Sequence, residues 1–157
     1  MKHVVVIATV LLLWAVPSRA QQPDPKELGP MLGKRFGELS SWILKAAEMV
    51  PADTYSYKPA ASVRTFGELL GHIADGSNYF CGRADGKKVQ WSDETATGTT
   101  DKATVVPKLK RALDACTAAH GTGQLGMLIE NFGHVNLHYG NMVTYLRMLG
   151  LVPPSSS

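Results

Sequence analysis

What this chain has little of narrows its reading first. It holds two cysteines, Cys81 and Cys116, and neither lies in a C-x-x-C pair, which argues against a redox-active dithiol. It has no strong charge of either sign, with 16 Lys and Arg against 13 Asp and Glu. Its aromatic residues are not interleaved with Arg or Lys, so nothing in the sequence points to a nucleic-acid-binding face. No stretch reads convincingly as a strand, and no internal repeat is present. The one long apolar run, Val4–Val16, is 13 residues, too short to span a bilayer comfortably, which takes about 20.

That run has another reading. Lys2 and His3 precede it, and Pro17-Ser18-Arg19-Ala20 follow, placing Ser18 and Ala20 at the −3 and −1 positions of a cut before Gln21. This is the pattern of a secretory signal peptide over Met1–Ala20. No Cys follows the cut, so no lipid anchor is signalled. The expectation is a mature chain that starts at Gln21 or Gln22, resides in the periplasm or outside the cell, and has no membrane association once the signal is removed. Lys2 and Arg19 leave with that segment, so the remaining 137 residues carry 14 basic and 13 acidic side chains, a formal charge of +1. They suffice for one domain with one core. In an oxidising compartment the even pair Cys81 and Cys116 points to a disulfide, with two buried free thiols as the alternative.

Past the signal, Gln21–Pro30 is rich in Pro and polar residues and reads as a flexible lead-in. The expected domain runs from residue 31 to 154, with Ser155–Ser157 as a tail. A first amphipathic helix is predicted from Met31, its apolar stripe being Met31, Phe36, Leu39, Ile43, Ala46, Ala47 and Val50, with Pro51 at its end. Thr65 and Glu68 form a capping box that opens a second helix reaching about Phe80. Gly67, Gly71 and Gly76 are poor helix residues, and close approach by a neighbour is one reason to keep them. Gly82–Thr100 is polar, with Trp91 as its large anchor, and its length of about twenty residues marks a crossover or a functional loop. A third helix begins at Asp101 or Thr104 and runs to Ala119; Pro107 favours Thr104 as cap or else a kinked first turn. The fourth spans most of Gly126–Pro154 and is stopped by Gly150 and Pro153-Pro154. Four helices without a strand predict an all-α four-helix bundle.

The chemistry concentrates in the histidines. His3 leaves with the signal, and His120 sits at a helix end, where a capping role suits it. His134 and His138 are four residues apart on the last helix; four residues advance about 400°, so the rings lie on nearly one face, one turn apart. H-x-x-x-H alone is a weak signal and needs a third ligand. His72 on the second helix is the candidate. At about 100° per residue, each of the three stands at the edge of its helix's apolar stripe, facing a groove between helices. That placement suits a three-ligand site with an open position, although three helical histidines can also bind nothing. Asp75, Glu130, Asn131 and Asn141 are near enough along the chain to hold the ligands from behind. None of them is an obvious general base. Tyr139 falls in the apolar stripe and reads as core, and Arg147 suits a helix C-terminus.

The segments RTFGELLGHIADGSNYF around His72 and NFGHVNLHYGNMVTYLRMLGLVPP around His134 and His138 resemble the DinB-like family, over nearly the whole mature domain. The resemblance implies a bundle in up-down-down-up order, for which the Gly82–Thr100 loop would serve as crossover between helices two and three. It also implies that His72, His134 and His138 hold a divalent metal ion, nickel or zinc. The expectations for function follow from it. The first is an exported, metal-dependent transferase or hydrolase acting on a small-molecule substrate. The alternative is a non-catalytic periplasmic metal-binding or stress-associated module. Relatives in that family often pair, which admits a homodimer, and near-neutral charge argues against a nucleic-acid partner.

Overall fold

The computed structural model describes residues 25–157. The signal peptide expected over Met1–Ala20 and the first part of the lead-in lie outside the described residues. Five α-helices follow in order: α1 Pro25–Met49, α2 Phe66–Ala84, α3 Glu94–Thr97, α4 Lys102–Ala119 and α5 Leu125–Met148. Short 3-10 turns occupy Ala52–Thr54 and Pro154–Ser156. Among the described residues there is no strand, and no helix is long and apolar enough to cross a membrane.

The long helices form where apolar residues recur at three- and four-residue spacing, and each buries that stripe. On α1 it is Leu32, Phe36, Leu39, Ile43, Ala46 and Ala47, continued by Val50 just past the helix end. Leu32 takes the place expected for Met31, which is 48% exposed. On α4 the stripe is Val105, Leu109, Leu113 and Cys116, and on α5 it is Leu128, Val135, Tyr139, Met142 and Leu146. Two helix starts are capped by side chains. The Thr65 hydroxyl accepts from the Glu68 amide at 3.2 Å while the Glu68 carboxylate accepts from the Thr65 amide at 2.7 Å, the reciprocal box that the sequence predicts. Asp101, rather than Thr104, caps α4 by accepting from the Thr104 amide at 3.0 Å. At the far end of α5, Gly150 adopts φ +75°, and the Leu151 amide donates back to the Leu146 carbonyl at 2.8 Å, closing the helix as a left-handed glycine does.

Several boundaries differ from the expectation. α1 starts at Pro25, so residues 25–30 of the supposed lead-in are helical and Pro30 lies inside the helix. Pro107 likewise lies inside α4. Both are the sixth residue of their helix, where a proline removes one backbone bond close to a terminus, and the apolar stripe beyond it outweighs that loss. α2 continues four residues past Phe80 to Ala84. The crossover contains the one-turn helix α3. The last residues are not a loose tail, because the Ser155 amide donates to the Tyr139 hydroxyl at 3.1 Å.

The topology follows from which ends meet. At its start α2 touches the Thr100 backbone beside the start of α4, through Gly67, and near its end Cys81 is bonded to Cys116 near the end of α4; the two helices are parallel. Gly76 of α2 meets His134, and the Ala84 carbonyl accepts from the Gln124 amide, so α2 and α5 are antiparallel. Gly33 of α1 meets His120, and Lys102 donates to the Val50 carbonyl at 3.1 Å, so α1 and α4 are antiparallel. The order is up-down-down-up, and the chain from Asp85 to Asp101 is the crossover that two parallel neighbours require. The disulfide Cys81–Cys116 ties the parallel pair together. Tyr55 and Tyr57 lie over the bundle: the buried Tyr55 hydroxyl donates to the Ala47 carbonyl at 2.6 Å, and Tyr57 packs edge-on against Tyr145. His120 caps α4, its Nδ1 lying 2.8 Å from the Cys116 carbonyl.

Candidate metal centre

Antiparallel packing of α2 on α5 brings the three histidines together. His72 Nε2 lies 3.2 Å from His134 Nε2. The ring centroids are 5.0 Å apart for His72–His134, 4.7 Å for His72–His138 and 4.6 Å for His134–His138. One ring nitrogen from each residue lies within 4.8 Å of the other two. His134 reaches this position because Gly76 has no side chain; a Cβ there would overlap its Cε1 and stand 2.7 Å from its Nδ1.

The donor set fits a divalent ion of borderline softness. Zinc binds imidazole nitrogen at about 2.05 Å, which makes the edge of a tetrahedral site about 3.3 Å; the 3.2 Å separation of the two Nε2 atoms is near that edge. A ligating imidazole must be neutral. Burial, followed by the charge of neighbouring His72 and of Arg64, lowers His134 to a pKa of about 4. Burial, followed by the charge of His134, His72 and Arg64, lowers His138 to about 4 as well. Both rings are therefore neutral at pH 7 and offer lone pairs. His134 Nδ1 is buried with no hydrogen-bond partner, so that ring engages the protein's polar groups through Nε2 alone.

The surroundings are asymmetric. On one side Trp91 of the crossover and Phe80 of α2 cover the rings: Trp91 lies 5.7 Å from the His72 ring and 6.0 Å from the His134 ring, and Phe80 lies 5.7 Å from His134. His72 and His138 are more enclosed than the groove-edge expectation, each 8% exposed, and His134 is half-buried. On the other side, a cleft of about 570 Å³ opens beside His138, lined among others by Arg64, Glu68, Asn141 and Tyr145. Of the three histidines, His138 lines that cleft.

The residues expected to support the ligands separate in space. Asn141 Nδ2 lies 3.5 Å from His138 Nδ1; with the amide turned over, its oxygen would accept from Nδ1–H and leave Nε2 free. Asp75 is buried, but its carboxylate accepts from the backbone amides of Thr95 and Ala96 at 2.9–3.2 Å and holds α3. Asn131 is fully buried, with Nδ2 3.3 Å from the Cys116 sulfur, at the disulfide rather than at the rings. Glu130 is exposed on the outer face of α5. The carboxylate that does meet a ring is one the sequence did not single out, Asp93: Oδ1 lies 3.2 Å from His72 Nδ1, and Oδ2 accepts from the Trp91 indole at 3.2 Å. The Trp91 bond, then the His72 bond, hold its carboxyl below the usual range. In a polar loop that also contains Asp85 and Glu94, nothing in the sequence marked it.

The sequence profile of the DinB superfamily matches residues 40–124, a little over half the chain. The match contains His72, the crossover and both cysteines, and it stops before His134 and His138, whose place beside His72 comes from the packing of α5 on α2. No curated protein and no solved structure matches the chain. On the fold, the order of its helices and the matched span, this chain belongs to the DinB superfamily.

Proposed function

We propose that the protein is an exported metal-dependent enzyme, a transferase or hydrolase, that acts on a small molecule at a three-histidine centre holding zinc or nickel. The observation that carries this reading is the convergence of His72, His134 and His138 beside a cleft large enough for a small molecule. A divalent ion bound by three imidazoles lowers the pKa of a water or thiol in its open position and so supplies a nucleophile near neutral pH. The protein's own residues set the rest. Trp91 and Phe80 shield the rings on one side, leaving the His138 cleft for the substrate. Arg64 at that cleft is exposed and has no ion-pair partner among the described residues, which favours a substrate with an anionic group. The secretory pattern of Met1–Ala20 and the Cys81–Cys116 disulfide both support export to an oxidising compartment.

The alternative is a non-catalytic metal-binding module of the same compartment. It is favoured by one observation: Glu68, the single carboxylate lining the cleft, is engaged in the α2 capping box rather than free to act as a base. Two measurements test these readings in order. Protein purified under native conditions should contain about one divalent ion per chain and lose it in His72→Ala; a chain that takes up neither zinc nor nickel ends both. A panel of ester, amide and thiol-transfer substrates then separates them, since turnover abolished by His72→Ala supports the enzyme, and its absence across the panel supports the module.

A further inference from the structure

Asp93 is the residue before α3, the position at which an Asp ordinarily turns its carboxylate onto the amides two and three residues ahead. Here it makes no such bond. The amides in question, Thr95 and Ala96, are instead taken by Asp75, which reaches across from α2 with Thr95 at 3.0 and 3.2 Å and Ala96 at 2.9 Å. The job of capping α3 is thus done by a neighbouring helix, and the Asp93 carboxylate is released to face the other way. One of its oxygens lies against His72 Nδ1 and the other against the Trp91 indole, so its orientation is set by two contacts. α3 is seated closely enough for this because Gly71 presents bare backbone; a Cβ there would stand 2.7 Å from the Ala96 Cα and the Thr95 carbonyl oxygen.

We propose that Asp93 is the positioning residue for His72: it accepts the Nδ1 proton, so that the ring's Nε2 lone pair faces His134 and His138, with Asp75 freeing Asp93 for this by capping α3 in its place. A histidine ligand whose far nitrogen is held by a carboxylate has its tautomer and ring angle fixed before a metal ion arrives, and loss of such a partner ordinarily weakens metal binding 10–100-fold, by about 1.4–2.7 kcal/mol. The crossover that the topology requires thereby becomes part of the site. This inference rests on the three-histidine reading, and the two are separable by experiment.

The test uses the processed protein, two variants that remove the carboxylate, Asp93→Asn and Asp93→Ala, and a third, Asp93→Glu, that restores it. The first readout needs no metal: long-range proton–nitrogen NMR spectra report which ring nitrogen of His72 carries the proton. The wild type should show Nδ1–H, and Asp93→Ala should show a mixture or Nε2–H. The second is zinc affinity by competition with a chromophoric chelator, expected to fall about 10-fold or more in both variants while far-UV circular dichroism stays that of the wild type. Restoring the carboxylate as Asp93→Glu should recover part of the loss, which a purely structural role for the loop would not predict. An unchanged His72 tautomer, or equal zinc affinity in wild type and both variants, overturns the proposal and leaves the metal reading standing. A wild type that binds no zinc or nickel overturns the metal reading instead, and the tautomer measurement still decides whether Asp93 sets the ring.

Discussion

Replacing Gly76 by Ala separates two opposed effects whose sizes can be worked out. A glycine inside a helix is destabilising by up to about 1 kcal/mol relative to Ala, so with open space around it the change would stabilise α2. Gly76 does not have open space. The added methyl would overlap His134 Cε1, lie 2.7 Å from Nδ1 and 3.0 Å from Nε2. The neighbour is an imidazole wedged between helices, and overpacking of that kind costs about 1–3 kcal/mol. The net expectation is a loss of about 1 kcal/mol in the metal-free protein. The larger effect is on ligation, because the ring must swing out of the cluster. With zinc at 100 times the wild-type dissociation constant, binding stabilises the wild type by about 2.7 kcal/mol, and a 10-fold weaker site by about 1.4 kcal/mol. At roughly 3–5 °C per kcal/mol for a domain of this size, the zinc-induced rise in Tm should drop from about 10 °C to about 5 °C. Gly140→Ala is the control, since a Cβ there meets nothing within 4 Å. It should raise stability by about 0.5–1 kcal/mol and keep the full zinc increment. If Gly76→Ala raises Tm as Gly140→Ala does and retains the full increment, His134 is not held against α2 and the reasoning fails.

Two further outcomes are expected. The Cys81–Cys116 bond closes a span of 35 residues, which the chain-entropy argument makes worth about 4 kcal/mol; a Cys81→Ser/Cys116→Ser protein should melt more than about 10 °C lower, and an unchanged Tm would remove the bond from any account of stability. The second concerns pH. His134 and His138 have folded pKa values of about 4 against an ordinary 6.5, so between those values the unfolded chain binds protons that the folded one does not. Metal-free protein should therefore hold its stability above pH 6.5 and lose it progressively as the pH falls toward 4, read as a falling urea midpoint; a midpoint that is flat or rises over that window contradicts the burial of these rings.

Much of this was legible in the chain, for identifiable reasons. Thr65 with Glu68 and Gly150 with Pro153-Pro154 mark helix ends by local hydrogen bonding and backbone freedom, which need no tertiary context. Four-residue spacing places His134 and His138 together whatever surrounds them. The pairing of Cys81 with Cys116 follows from there being two. What was illegible depends on neighbours distant in sequence. Pro30 and Pro107 look like boundaries, yet each loses one terminal backbone bond and the packing of the stripe decides the matter. Met31 and Leu32 are equally apolar, and only the bundle decides which is inside. Asn131 is three residues from His134, but that step turns it toward the disulfide. Asp75 and Asp93 exchange the roles that their positions suggest, because the crossover lays α3 on α2, and no local pattern records that contact.

The up-down-down-up order also has a consequence in time. Chains are made from the N-terminus, and His72 belongs to the second helix while His134 and His138 belong to the last. Until synthesis reaches residue 134 a growing chain holds one of the three histidines of the cluster, and the set is complete only after residue 138. The disulfide partners, at 81 and 116, are both complete before the final helix exists. Covalent closure of the parallel pair can therefore precede docking of α5, and capture of an ion would be the last event in maturation, confined to chains that have finished folding.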